Sequence, residues 1–343
     1  MPFFRLEPHD QQRIRVASDI LEAARVMDDP TSYPVLAELL SNDIAYGWDL
    51  EPDDYLLYVP EGAAKPVGVL QLGLPRRDNL HLATVDVVVH PAHRDHDQIA
   101  PDHRRTTMMA EAIRLARAAG RTVLWVWAPE EDGEARAFLT GSGFVEANRD
   151  ARRHQVLAEV DHTEVDRLGT NARTAAADYE LVRLRPPLDD DLLAELVEVT
   201  AAINDAPMGE LTFEDEVFDQ RRLSDHQEAG IRRGDRRYRI VARHRRSGEV
   251  GGHTEVALHP LQPELAHQAD TAVARAHRGH RLGMLLKIDM MHWLSETEPQ
   301  LTTIQTYNNA GNGFMIDVNE ALGYRMSRVF TTYQRTLSAS ASG

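Results

Sequence analysis

The stretch HRGHRLG, from His277 to Gly283, sets two glycines among four cationic or imidazole side chains, directly ahead of a run rich in leucine and methionine. A turn that opens a helix leaves its first backbone N–H groups without intrahelical partners, and the helix macrodipole adds positive potential at the same end. Gly279 and Gly283 lack Cβ atoms, so a bulky anion can approach the main chain, while Arg278 and Arg281 can add charge-assisted hydrogen bonds. A diphosphate suits such a nest better than a lone carboxylate. A bare glycine turn with an arginine also begins many ordinary helices. What favours the anion here is the context, a strand-like segment ending at Val273 and Ala274 before the turn and a helical pattern from Leu282 after it.

Other residues could act on an acceptor molecule. In GGHTEVAL, Glu255 and His253 stand two apart and so share one face of a strand. A glutamate in an apolar strand is costly unless paired or used, so Glu255 is either a base or anchor for an amine, with His253 beside it, or the partner of an arginine. In INDAPMGELTFEDE, Asp205 and Glu210, with Glu214 and Asp215, could hold a cationic amine, although a solvated acidic face explains each of them singly. His90, His93, His96 and His103 with Asp95, Asp97 and Asp102 contain the ligand types zinc uses. With no cysteine and no i, i+4 pair on a helix, they read as a solvated polar loop, and no metal is expected.

The chain that must position these groups has 343 residues, enough for two ordinary domains. A net charge of −16 argues against nucleic acid as a partner, and no apolar run approaches membrane-spanning length. The absence of cysteine and of a basic-then-apolar leader is what a cytoplasmic protein would have. Residues 1–177 hold 29 acidic and 19 basic residues, and 178–343 hold 25 and 19, so an anion site belongs in the less negative second half.

The halves repeat. DVVVHPAHR, from Asp86, returns as DTAVARAHR, from Asp270, at an offset of 184, and Gly143-Phe144 returns as Gly323-Tyr324 at an offset of 180. Two echoes in the same order indicate a duplicated domain. The copies are expected at 1–161 and 178–336, joined by an aperiodic linker over 162–177 and followed by a disordered tail over 337–343. In the second copy the pattern predicts strands over 179–185, 237–242, 249–258, 267–274, 301–307 and 326–332, with helices over 189–203, 213–234, 282–296 and 313–322. The first copy predicts strands over 55–59, 66–72, 84–90 and 123–127, with helices over 106–119 and 134–140.

HRGHRLG, followed some thirty residues later by NNAGNGFMIDVNEALGY, resembles the GNAT (Gcn5-related N-acetyltransferase) superfamily. In that family an R/Q-x-x-G-x-G/A loop binds the pyrophosphate of acetyl-CoA. The pattern here runs from Arg278 to Gly283, with Arg281 at the middle glycine position. The resemblance spans both halves, with the layout of the tandem GNAT proteins of actinobacteria, mycothiol synthase among them. It implies an α/β fold of two fused GNAT-like domains, each a mixed, mostly antiparallel twisted sheet flanked by helices. It also implies acetyl-CoA as cosubstrate, held by Val273, Ala274, Arg278, Gly279, His280, Arg281, Leu282 and Gly283, with Asn308 and Asn312 along the pantetheine arm. The tyrosine that in many members protonates the leaving thiolate is Asn319 here, and Tyr324 falls on an aromatic packing position. The glycine-free stretch between His90 and Gly120, with Asp95, Asp97 and Pro101, implies a first domain that no longer binds acyl-CoA.

The expected activity is N-acetylation of a small amine-bearing molecule by direct attack on the thioester, since no cysteine can carry the acyl group. Glu255 is the candidate base, and Asp205, Glu210 and His253 are candidates for the substrate. Two alternatives stay open: an acyl-CoA-binding protein without turnover, and an N-acetyltransferase acting on peptides. A monomer is favoured over a homodimer, because two fused copies can satisfy each other's pairing.

Overall fold

The computed structural model describes residues 2–94 and 103–337, which fall into two compact units. The first comprises 1–148, 210–214 and 331–343, and the second 149–209 and 215–330. Both are mixed α/β structures with the same order of elements.

The first unit contains β1 (Phe3–Arg5), α1 (Gln11–Asp28), α2 (Ala37–Tyr46), β2 (Asp54–Tyr58), β3 (Gly68–Gly73), β4 (Leu82–Val89), α3 (His103–Ala118), β5 (Val123–Pro129) and α4 (Gly133–Gly141). Strands β1 to β4 pair antiparallel in sequence order, and β5 runs parallel to β4. Strand alternation divides the core between the faces: Leu56 and Tyr58 pack with Met108 and Ala112 of α3, whereas Tyr55 and Leu57 pack with Ile14 and Ala17 of α1.

Strand β6 (Val145–Val156) starts in the first unit, but from Asp150 onwards it pairs antiparallel with β11 (Thr303–Asn309) of the second. Between them in sequence come α5 (His162–Ala175), β7 (Tyr179–Leu184), α6 (Asp190–Ala201), α7 (Gln220–Arg233), β8 (Arg236–His244), β9 (Val250–Leu258), β10 (Leu265–Val273) and α8 (Leu282–Thr297). After β11 follow α9 (Gly313–Ala321) and β12 (Arg325–Thr336). Strands β7 to β10 are antiparallel neighbours, and β11 is parallel to β10. Tyr238, Ile240 and Ala242 of β8 turn to the core shared with α5 and α8, and Val241 turns to Leu193, Leu196 and Leu223 of α6 and α7. Helix α8 is buried almost all round, a feature of helices enclosed by the fold rather than laid upon it.

The segment 162–177 is not the linker its pattern suggested. It is α5, whose buried face is Val165, Gly169, Ala172 and the adjoining Ala176, at spacings of four, three and four. Small residues make that stripe, so it carries little hydropathic contrast, yet it lets the helix pack closely on α8: a Cβ at Gly169 would sit 3.4 Å from Ile288 Cγ2. Helix α7 begins at Gln220 with Asp219 as its cap, later than the 213 expected. Residues 95–102 lie outside the described residues, and with them Asp95, His96, Asp97, Pro101 and Asp102; so does the tail from 338. Among the described residues no three His, Cys, Asp or Glu side chains are grouped to hold a metal, and no helix is long and apolar enough to cross a membrane.

Candidate active site

Strand β10 is shaped at two points. Opposite Glu255 of β9 it carries two residues, Ala269 and Asp270, in a bulge between Gln268 and Thr271. Its parallel ladder with β11 extends only from Leu265–Thr303 to His267–Gln305, and just past it Thr306 Oγ1 donates to Gln268 O at 3.2 Å. Val273 ends the strand, the Ala274 N–H donates to Gly251 O at 3.0 Å, and a 3-10 turn over Arg275–His277 leads into the glycine loop. Gly251 lets His277 come close, since a Cβ there would meet the imidazole at 2.7 Å; His277 Nδ1 is then 2.9 Å from Tyr179 Oη.

The loop has the form of an anion cradle. Gly279 adopts φ +88°, which favours glycine, and a Cβ on it would meet nothing within 4 Å. Arg281, exposed, holds φ +55° as the residue preceding α8 and makes no side-chain cap, so the first N–H groups of the helix are left for another acceptor. A Cβ at Gly283 would touch only Thr271 Cγ2, at 4.0 Å, which leaves open space before the first turn. Leu282 is buried below, and exposed His280 places Nδ1 3.4 Å from Ala175 O.

Arg278 does not hang free in the loop. Its Nε donates to Val273 O at 3.1 Å, and its Nη2 donates to Asp205 Oδ2. Arg275 Nη2 donates to the other oxygen, Asp205 Oδ1, at 2.6 Å, and the two guanidinium groups lower the Asp205 pKa. Asp205, expected beside an amine, is thus the clasp of the loop. Glu210, its expected companion, is an exposed residue of the first unit whose N–H donates to Ala147 O at 2.8 Å.

On the α6/α7 face of the sheet lies a buried ionic cluster. Arg237 Nη1 donates to Glu255 Oε1 at 2.6 Å, Arg239 Nη2 donates to Oε2, and His226 Nε2 is 3.3 Å from Oε1. Burial opposes ionisation of Glu255, yet the two arginines and His226 outweigh it and hold the pKa well below the usual carboxylate range. Such a carboxylate is a weak base, which argues against the role expected of Glu255. His253, 1% exposed, has no hydrogen-bond partner on either ring nitrogen, and desolvation lowers its pKa to about 3, so it is neutral at pH 7. Sequence reasoning passed over Arg237, Arg239 and His226. The visible signal was the i, i+2 pair of arginines in RRYRIVAR, opposite Glu255 in the antiparallel register.

Beyond the end of the β10–β11 ladder, Asn319 of α9 is fully buried and its Nδ2 donates to Asn308 Oδ1 at 2.6 Å. Its own Oδ1 is buried without a hydrogen-bond partner. Asn312 caps α9, accepting from Met315 N at 3.3 Å. Lys287, in α8, is 2% exposed and lies 4.6 Å over the Tyr324 ring.

No protein-family model and no curated protein matches the sequence. Solved structures do match over the whole length. One is a tandem GNAT protein from the clavulanic acid biosynthesis pathway, solved without AcCoA: 24% identity, 98% of this chain and 99% of that one, TM-score 0.78. Another is a GCN5-related N-acetyltransferase from Sphaerobacter thermophilus: 12% identity, 98% and 96% coverage, TM-score 0.64. A GCN5-related glucosamine N-acetyltransferase region of a fungal multi-domain GH3 beta-N-acetylglucosaminidase aligns at 13% identity and TM-score 0.66, covering 97% of this chain and 38% of that one. The fold is therefore that of tandem GNAT proteins, as the glycine loop and the internal repeat implied.

Proposed function

We propose that the second unit transfers an acetyl group from acetyl-CoA to an amine of a small molecule. The observation that carries this reading is the cradle at the start of α8, where Gly279 and Gly283 leave room for a diphosphate against unpartnered N–H groups. Arg278 and Arg281 add positive charge there, and β10 and β11, whose ladder ends at His267–Gln305, leave a place for an amide-bearing arm beside Asn308. The thioester supplies an activated acyl carbon; the chain supplies orientation and proton handling.

The acceptor approaches on the face that bears Glu255, Arg239 and His253. Glu255 stays ionised in its arginine pair and fixes the guanidinium groups that line this face. With His253 neutral and weakly basic as well, the amine gives up its proton to water before it attacks. The first unit serves as scaffold and the second alone binds the donor.

Isothermal titration of acetyl-CoA tests the reading. One site is expected per wild-type chain, and Gly283→Glu, which puts a carboxylate in the cradle, should weaken binding at least about 100-fold. An amine panel scored by thiol release then looks for turnover. Two sites would return donor binding to the first unit. Binding without turnover on any amine would favour a non-catalytic acyl-CoA-binding protein, and no binding would end the transferase reading.

A further inference from the structure

Lys287 is one of only two lysines in the chain, and its charge meets the face of an aromatic ring in place of a carboxylate. Among the described residues it forms no ion pair and no hydrogen bond; its ammonium faces only the ring of Tyr324. Burying an unpaired ammonium is expensive, and a leucine at this position of α8 would fill the space without that cost. The same region holds a complementary orphan, the buried Asn319 Oδ1 that accepts nothing. An enclosed acceptor without a hydrogen bond and a lysine without an ion pair mark a place that something polar enters.

The geometry ties that place to the cradle. Gly283, Lys287 and Met291 stand at i, i+4 and i+8 and form one stripe of α8. Helical side chains lean toward the N-terminus, so Lys287 leans back toward the turn of Gly283. The far end of the stripe meets the end of α9: Gln155 Nε2 donates both to Met291 Sδ at 3.2 Å and to Leu322 O at 2.6 Å. Tyr324, which Lys287 faces, follows α9 directly, and its N–H donates to Asn319 O at 3.0 Å. Lys287 thus stands one turn along the helix from Gly283 and packs on Tyr324, whose N–H holds the Asn319 carbonyl.

We propose that Lys287 is the acid that protonates the coenzyme A sulfur as it leaves, an inference that rests on the acyl-transfer reading above. The amine lone pair bonds to the carbonyl carbon, the C–S bond breaks and its electron pair stays on sulfur. The proton on Lys287 Nζ passes to that sulfur, giving the free thiol and a neutral lysine. The proton lost by the attacking nitrogen goes to water, and water reprotonates Lys287. Burial supports the assignment: desolvation lowers the Lys287 pKa to about 7, below the roughly 8.5 of a thiol, so the transfer runs downhill.

The test compares the wild type with Lys287→Met, which keeps length and removes the buried charge, and with Lys287→Gln as a second variant. The probes are coenzyme A and desulfo-coenzyme A, titrated calorimetrically, with the pH profile of kcat followed by thiol release. Desulfo-coenzyme A should bind all three proteins alike. In the wild type kcat should fall as pH rises past about 7, where Lys287 loses its proton, and neither variant should show that fall. With an amine that the wild type acetylates, kcat should fall roughly 100-fold or more in Lys287→Met while the affinity for acetyl-CoA holds. Equal kcat with the same pH profile in wild type and variants would overturn the role of Lys287 and leave the transferase reading intact. Failure of the wild type to bind coenzyme A would overturn the transferase reading, and the lysine's role with it.

Discussion

The two units place the same arginine in the same grip. Arg94 Nε donates to Val89 O at 3.1 Å and its Nη atoms to Asp28 at 2.7 and 2.6 Å; Arg278 Nε donates to Val273 O at 3.1 Å and its Nη2 to Asp205. In both copies the carbonyl lies five residues back, and the aspartate closes or follows the helix after the unit's first strand. A contact present in both copies, whatever follows it in the loop, belongs to the turn itself. What sets the second copy apart in its sequence is the pair Gly279 and Gly283, against a stretch from His90 to Gly120 without glycine, and that distinction carries the proposed chemistry.

The sheets differ in a second way. Where Arg239 faces Glu255 across β8 and β9, Tyr55 faces Gln71 across β2 and β3, and Asp86 stands where Asp270 does in the repeat. One unit buries a compensated ion cluster. In the other, half-buried Asp53, and Asp86 on the exposed side of β4, have pKa values that desolvation raises.

The largest effect that would break this contrast is on Glu255. Glu255→Gln should cost about 3–5 kcal/mol in urea unfolding, because it strands two buried guanidinium groups, whereas Gln71→Ala should cost only about 1 kcal/mol. Similar losses would mean that the ion cluster is no more vital than its neutral counterpart.

Next comes pH. The Lys287 pKa is depressed in the fold, so between about 7 and its ordinary value of 10.5 the unfolded chain binds more protons, and stability should rise with pH across that window. Lys287→Met should flatten this rise, by about a few kcal/mol over the window, in denaturation curves recorded from neutral to alkaline pH.

Acid should separate the units. His253 and His267 have pKa values lowered to about 3 and about 4, so as pH falls below 6.5 the unfolded chain takes protons that the folded second unit refuses, and that unit loses stability. Asp53 and Asp86 carry raised pKa values, so the first unit takes up protons ahead of its unfolded chain and gains stability as pH falls through those values. Amide exchange at pH about 5 should therefore open the second unit's strands before the first's; the reverse order would contradict these burial effects. The smallest effect is on the donor itself. Arg278→Met should weaken acetyl-CoA binding about tenfold and Arg94→Met not at all, measured by calorimetry.

How much was legible can be read from particular residues. The repeat, the glycine loop and most strand and helix positions stand in the sequence, because backbone freedom, period and turn chemistry depend on neighbours a few residues apart. Helix α5 escaped notice because its packing stripe is glycine and alanine, and contrast in hydropathy, not packing, is what periodicity detects. Asp205 was singled out for its charge, and its arginine partners went unseen because they stand 70 and 73 residues along the chain.

By itself the sequence determined that the chain is a doubled α/β fold and that a glycine turn opens one helix of its second copy, since both follow from local chain geometry repeated in order. Only the tertiary structure decided which charges meet. Glu255 became an arginine-bound anion and Lys287 a lone buried cation through the burial and the company that long-range packing gave them. A side chain's protonation state depends on its desolvation and on neighbours brought from elsewhere in the chain, and neither is written in the residues beside it.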